Sequence, residues 1–478
     1  MRHLIHAEWT KFRTVRGWVI GMLVAVPLTV LIGLLGPAGS QVSCSGPNGQ
    51  ACELHTPPTG PGGTAVNDSF YFVHRTLTGD GSITARVGGL AGAEPWAKAG
   101  VILKQSTEAG SPYVSVLRTG GHGVRLQHDF TEDVAGPSGV SWVRLTRTGN
   151  TVAGEVSPDG ERWSRLGSVE LGGAVEAGMF VTSPEHVEVS RSFGSMDASG
   201  GPTIATATFD DVRLTGDWSA QWRGANIGGL EGMDTGFVED DGRFTVRGTG
   251  DIAPIVPSPG ARGKTVEDAL VGVFAGLIAV LVVATMFVTA EHRRGLIRTS
   301  LTASPRRGRL LAAKSIVVGG VSFVVGVVSA VLAIPLVGAL EEAKGMFVYP
   351  VSTWTEIRVV LGTGALFAVA AVLAVAVGSL LRRGAGTVTA VIVGIVLPYL
   401  LTVASVLPPG PTEWLTRLTP AAAFAVQQTT PEYPQVAASY VPAYGYFPLS
   451  PVGGFAVLCA YAVVAAGFAA YVLRRRDV

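Results

Sequence analysis

Glu291, Arg293, Arg294, Gly295, Arg298, Arg306, Arg307 and Arg309 crowd a stretch that, read through Lys314, holds seven basic residues and one acid between two long uncharged runs. Residues of these types recognise charge or carry force; they supply no nucleophile. Positive charge within about 15 to 20 residues of a membrane span stays on the cytoplasmic side. The stretch therefore predicts a short cytoplasmic loop, a face on which a soluble partner could push. Near the start, Glu8, Trp9, Lys11 and Arg13 mix charge with an aromatic ring, which suits a helix lying in the cytoplasmic headgroup region. A merely solvated basic flank has the same charge pattern.

Other residues that could do chemistry carry weaker signals. Residues 258–265, SPGARGKT, fall one glycine short of a phosphate-cradling loop: Ser258 stands where the first Gly belongs and no strand precedes it. Thr265 and Asp268 read instead as the T-x-x-D start of a helix. His122 and His128 could share a strand face, but no carboxylate or Cys completes a ligand set, so no metal is expected. Asn67-Asp68-Ser69 matches a glycosylation acceptor, a pattern that chance supplies often. No nucleophile, base and orienting acid fall into an arrangement, so no catalytic residue and no cofactor is expected on this chain. Trp218 and Trp222, in a Gly-rich stretch, are candidate stacking platforms for sugars, with core or interface packing as the competing role. Trp96, Trp142 and Trp163 read as core.

These residues must be positioned by two kinds of element. Six runs of at least 18 uncharged residues, near 17–36, 269–290, 315–340, 359–381, 384–407 and 447–473, are long enough to cross a bilayer as helices. The short segments on one side of them carry 16 Lys and Arg, against Lys344, Arg358 and Arg417 on the other, which predicts cytoplasmic termini. The first run is too long for the apolar core of a cleaved signal peptide and reads as an uncleaved anchor. None of the six holds an ionisable residue, so an ion-driven transporter is disfavoured.

Residues 37–264 are polar, rich in Gly, Pro, Ser and Thr, and predict a folded domain outside the membrane. Segments 82–87, 113–118, 123–128, 142–147 and 151–156 have strand patterning. Turns with clear chemistry, Thr148-Gly149-Asn150 and Ser157-Pro158-Asp159-Gly160, separate some of them. Short strands at this spacing argue for an antiparallel sandwich. Cys44 and Cys52, at the base of this domain, are expected to pair, because extracytoplasmic cysteines tend to do so. Cys459 falls inside a span and reads as packing. The fold class is thus a six-helix membrane protein with an inserted all-β domain. Its segments are 1–36, 37–264 with the sandwich at about 66–253, and 265–478. The 478 residues suit this division, and the net charge of +1 says little because charge is segregated by side.

Two resemblances sharpen the reading. The segments FYFVHRTLTGDGSITARV, WAKAGVILKQS, VSWVRLTRTGNTVAGEVSPDGERWSRLG and ATFDDVRL resemble bacterial concanavalin-like (laminin-G-like) sandwich domains. In that family the pair resembling Ile227-Gly228 and the run from Asp241 to Ile252 comes first. Here it comes last, which implies a circular permutation with both ends close together. The stretch after the second span resembles the loop of type-2 ATP-binding-cassette exporter permeases, matching at Glu291, Arg293, Gly295, Arg298, Thr299, Leu301, Pro305, Arg309 and Lys314. AEWTKFRT near the start, TEWLTRLTPAAAFAV before the last span and the closing Arg475-Arg476-Asp477 are similar too. The resemblance implies a permease in the bacterial plasma membrane, working as a homodimer or heterodimer. A separate cytoplasmic ATPase subunit would bind the ATP. Lipid and an extracellular glycan are the other expected partners, and nucleic acid is not. The alternative is a membrane-anchored carbohydrate-binding receptor or scaffold that moves nothing.

Overall fold

The computed structural model describes residues 1–39, 56–92, 94–192, 195–229, 232–258, 263–293 and 307–475. Cys44, Cys52, Arg294, Gly295, Arg298 and Arg306 lie outside the described residues.

The chain begins with helix α1 (Arg2–Thr14), which buries Glu8 and Phe12, and turns at the extended residue Val15 into α2 (Arg16–Gly39), the first apolar run. The strands of the outer domain follow: β1 (Val66–Asp68), β2 (Phe70–Ala91), β3 (Lys98–Lys104), β4 (Tyr113–Thr119), β5 (Val124–His128), β6 (Glu132–Ala135), β7 (Trp142–Thr148), β8 (Thr151–Ser157) and β9 (Ser164–Glu170). Then come β10 (Val175–Thr182), β11 (His186–Ser192), β12 (Ser195–Gly201), β13 (Ala205–Trp218), β14 (Arg223–Ile227), β15 (Gly236–Asp240), β16 (Arg243–Gly248) and β17 (Ile252–Pro254).

Strand β2 belongs to two layers. Its first half pairs with β10 on one side and β14 on the other; its second half pairs with β13 and β7. One layer therefore runs β14, β2, β10, β3, β4, β5, β6, and the other runs β15, β16, β13, β2, β7, β8, β9. Between them lie Val73, Val101, Val116, Leu126, Leu145, Met179, Phe209 and Val246, all buried, as expected when alternate residues of two sheets face each other. All five expected strand segments lie within or nearly within observed strands. The expected turns are present, with Gly149 at φ +60° and Gly160 at φ +80°.

The domain closes at its neck. β1 pairs antiparallel with β17 in the register Val66↔Pro254, Asn67↔Ala253, Asp68↔Ile252, so the two ends that lead to the membrane leave side by side. This pair covers the far face of β3, where Lys98, Ile102 and Lys104 alternate, and shares an aromatic cluster with Phe70, Phe72, Phe130 and Phe180. Lys98 and Lys104 have no exposed surface. Each is neutralised by the neck: Lys98 Nζ lies 2.6 Å from Asp251 Oδ1, and Lys104 Nζ lies 2.6 Å from Asp68 Oδ2. Burial pulls the Lys104 ammonium below its ordinary pKa even with Asp68 beside it.

Strand β18 (Gly263–Lys264) leads back to the membrane, followed by α3 (Val273–Arg293), α4 (Arg307–Ala343), β19 (Phe347–Val348), α5 (Thr353–Leu381), α6 (Gly384–Val403), α7 (Pro409–Leu418) and α8 (Pro451–Arg475). Thr265 and Asp268 cap each other's backbone N–H groups, the reciprocal arrangement expected of the T-x-x-D spacing, ahead of a short 3-10 turn at Asp268–Leu270. Among the described residues, six helical segments are long and apolar enough to cross a membrane: Arg16–Ala38, Asp268–Glu291, Gly308–Ala343, Thr353–Leu381, Gly384–Val403 and Pro451–Arg475. They match the six expected runs. Helices α4 and α5 approach closely where Gly326 meets Gly364; a Cβ on Gly326 would lie 2.9 Å from the Gly364 Cα.

Two expectations are corrected. Glu291, Arg309 and Lys314 are helical rather than loop residues, because α3 runs to Arg293 and α4 starts at Arg307. Residues 408–446, read as an outer loop, contain a 3-10 stretch, Pro420–Gln427, whose alanines Ala421 to Ala425 flank a fully buried Phe424. Phe424 stacks on Tyr399 of α6 at 3.8 Å. The Arg358 guanidinium donates to the carbonyls of Val426 and Gln428, so a charge counted as a loop residue instead satisfies backbone at the end of that stretch.

Candidate functional site: a buried ion cluster joining three helices

Helices α1, α3 and α4 meet at a closed ring of four charges. Lys11 Nζ donates to Glu8 Oε1 at 2.7 Å and to Glu291 Oε1 at 3.1 Å. Lys314 Nζ donates to Glu8 Oε2 at 2.8 Å and to Glu291 Oε1 at 2.8 Å. Glu8, Glu291 and Lys314 are 1%, 7% and 4% exposed, so three of the four charges are held away from solvent.

Local sequence explains how each reaches the ring. Glu8 and Lys11 are three residues apart and share one face of α1, with Phe12 beside them. Glu291 ends the apolar run of α3, and Lys314 stands two turns into α4, before its own apolar run begins. The Lys314 ammonium also lies 4.7 Å from the centroid of Phe287, one helical turn before Glu291. Phe287 in turn meets Phe12 and Trp18 edge-on, so the charges sit on an aromatic floor. Burial lowers the Lys11 pKa, but Glu8 and Glu291 outweigh it and hold the ammonium above its ordinary value. Glu291 Oε2 is buried and has no hydrogen-bond partner among the described residues.

Two carboxylates and two ammoniums neutralise one another, which is the condition for burying charge at all. Such a ring does no bond chemistry. It fixes three helices to one another and leaves one acceptor, Glu291 Oε2, free at the point where residues 294–306 follow.

The other expected site residues are placed as follows. Trp9 and Arg13 are on the exposed side of α1 and take no part in the ring. Arg309 lies one turn before Lys314 on α4. Trp218 and Trp222 pack against the sandwich core; Trp222 is covered by the Arg75 guanidinium at 4.5 Å and meets Phe244 edge-on at 5.4 Å. Trp96 and Trp142 are buried, whereas Trp163 is half-buried under Arg144. His122 stacks on Trp96 at 4.0 Å, and among the described residues no group of three or more His, Cys, Asp or Glu could hold a metal. Sequence reasoning missed Lys314 as the counter-ion. Its signals were its match to the resembled permease loop and its place as the last charge before the α4 apolar run, and neither names its partners.

A family model described as "ABC-2 family transporter protein" matches residues 4–478. The chain belongs to the ABC-2 transporter family. ABC-2 proteins are multi-pass membrane components of ABC transporters and are not themselves catalytic, and membership implies an ATPase subunit as partner in general. No curated protein matches the ABC-2 chain. Among solved structures, SCP-B, a peptidase of the Eqolisin family in complex with the tripeptide Ala-Ile-His, is 10% identical over 40% of this chain and 100% of its own, with a TM-score of 0.24. Scytalido-glutamic peptidase with a transition state analog inhibitor is 11% identical over 40% and 100%, at 0.26. A functionally unknown protein from Saccharomyces cerevisiae is 17% identical over 31% and 75%, at 0.21. At these TM-scores the likenesses carry no argument about this ABC-2 protein.

Proposed function

We propose that the chain is the permease subunit of an exporter in a bacterial plasma membrane, with both termini in the cytoplasm and its motion driven by a separate cytoplasmic ATPase. The observation that carries this reading is the ring of Glu8, Lys11, Glu291 and Lys314. It ties α1 to α3 and α4, the helices on either side of residues 294–306, so a push delivered between them reaches three helices together. The span interiors offer no rival energy source, because the Asp, Glu, Lys and Arg residues of the described spans sit toward their ends. The outer sandwich would bind or shield material at the cell surface, glycan being one class that exposed parts of its Trp218 and Trp222 region could meet. The permease would act as a homodimer or heterodimer.

The test is copurification of an ATP-hydrolysing partner with the tagged full-length chain from its host. Gly295→Pro should reduce the recovered partner, and Glu291→Ala should lower transport while membrane insertion is unchanged. Recovery of no ATPase, or normal partner binding and transport in both variants, would overturn the proposal.

A further inference from the structure

Beside the ion ring, α1, α2 and α4 line an open apolar groove of about 580 Å³. Trp9 and Phe12 form its end at α1, Leu23 lines α2, and Gly320 and Val324 line α4; Arg13 is the one charged residue on its wall. The volume is in the range that encloses a ligand of several hundred daltons. The two elements on the α1 side of the groove carry exposed charge of one sign. Arg2, Arg13 and Arg16 are exposed along α1 and the start of α2, whereas Glu8, the one acid there, is buried in the ring. Arg13 has no ion-pair partner among the described residues, although its neighbour Lys11 is held by Glu8 and Glu291.

We infer that this groove binds an anionic phospholipid of the cytoplasmic leaflet, one acyl chain lying along α4 and the phosphate held at Arg13. The side of the membrane rests on the orientation proposed above. Leu23 and Val324 are 63% and 59% exposed, on helices that cross the bilayer, so the medium meeting the groove is lipid chain. Trp9 precedes the first apolar helix, and indole rings favour the headgroup boundary that flanks a membrane span. Basic pockets between membrane helices on the cytoplasmic side select anionic headgroups. At Gly320 the wall is open: a Cβ there would meet nothing within 4 Å, so the absence of a side chain leaves room for the chain to lie flat.

The experiment is native mass spectrometry of the delipidated full-length protein titrated with phosphatidylglycerol and with phosphatidylcholine. The wild type should retain phosphatidylglycerol more tightly. Arg13→Gln should weaken phosphatidylglycerol by roughly fivefold, the worth of one basic residue at a membrane surface, and leave phosphatidylcholine unchanged. Arg13→Lys should keep most of the preference. Gly320→Phe, which fills the groove, should reduce retention of both lipids. Equal retention of phosphatidylglycerol in all variants would overturn the site. So would a Gly320→Phe protein that changes its dimer mass while its lipid adducts stay the same, since the groove would then be filled by a second copy. No ATPase is needed for this measurement, so recovery of no ATPase in the copurification would remove the exporter reading and leave the site standing, whereas failure to retain phosphatidylglycerol would remove the site and leave the exporter reading standing.

Discussion

Four ionised side chains share the site between α1, α3 and α4, and removal of any one leaves an odd charge behind. Breaking a buried pair by deleting one partner costs about 3 to 5 kcal/mol. Glu291→Ala should therefore lower the melting temperature of the detergent-solubilised protein, because Lys314 is then left with Glu8 alone. The double variant Glu291→Ala, Lys314→Ala should recover part of that loss, and a double-mutant cycle measures the coupling. Additive losses would mean that the two side chains do not stabilise each other. The same logic applies to Lys104 in the sandwich. Lys104→Ala leaves Asp68 buried without its cation, and the outer domain should lose about 3 to 5 kcal/mol, read by chemical denaturation followed with tryptophan fluorescence. The charged types at these positions are plain in the sequence. Their pairing is not, because Glu8 and Lys314 are 306 residues apart and nothing local records which apolar faces will meet.

At the scale of elements, the ends of the membrane helices nearest the sandwich are clasped to the linker that leaves it. β18 pairs in parallel with β19, and the Gln435 side-chain amide donates to the carbonyls of Phe130 and Thr131. Glu267 accepts from the Thr429 backbone N–H at 3.1 Å and from its hydroxyl, fastening the start of the α3 segment to residues 428–446. Burial raises the Glu267 carboxyl to about 7 despite those hydrogen bonds. A raised carboxyl favours the folded state in its protonated form. Its contribution is present below the ordinary glutamate pKa and is lost as pH rises toward about 7. Melting temperature should fall across that window in the wild type, and Glu267→Gln should flatten that part of the profile. The elements themselves were largely readable, since uncharged runs and alternating strands have strong periods. β2 runs well beyond the expected segment 82–87, through Thr78-Gly79-Asp80-Gly81, whose glycines and Asp are turn-forming types. In the fold Gly79 takes φ +70°, while β13 accommodates the irregularity with a register shift between Gly216 and Asp217. The buried Pro420–Gln427 stretch escaped because eight residues are too few to register as a span.

At the scale of the molecule, the inserted β domain has its own core and its own closure, so a fragment covering residues 64–256 should fold alone as a soluble all-β unit. It must include β1 and β17. Without them Lys98 and Lys104 would lose Asp251 and Asp68. A fragment ending at residue 218 should be far less stable, because β14 to β17 cover edges and faces of both layers. Equal melting temperatures for the two fragments, measured by circular dichroism, would show that the late strands are accessory. The insertion point was legible from composition, and the ring of charges below it was not.

The neck has a mechanical consequence. The chain enters β1 and leaves β17 at the same end of an antiparallel pair, Val66 opposite Pro254, so a force that separates the tops of α2 and α3 loads its backbone hydrogen bonds one after another. That is unzipping, and it yields at lower force than shearing a parallel set of bonds at once. Unzipping can proceed only as far as Asp68 and Asp251, where the two lysines of β3 rivet the neck to the sandwich. The tether thus has a soft first stage and a hard stop. Rearrangement of the membrane helices can be absorbed over a few residues of slack while the sandwich keeps its shape.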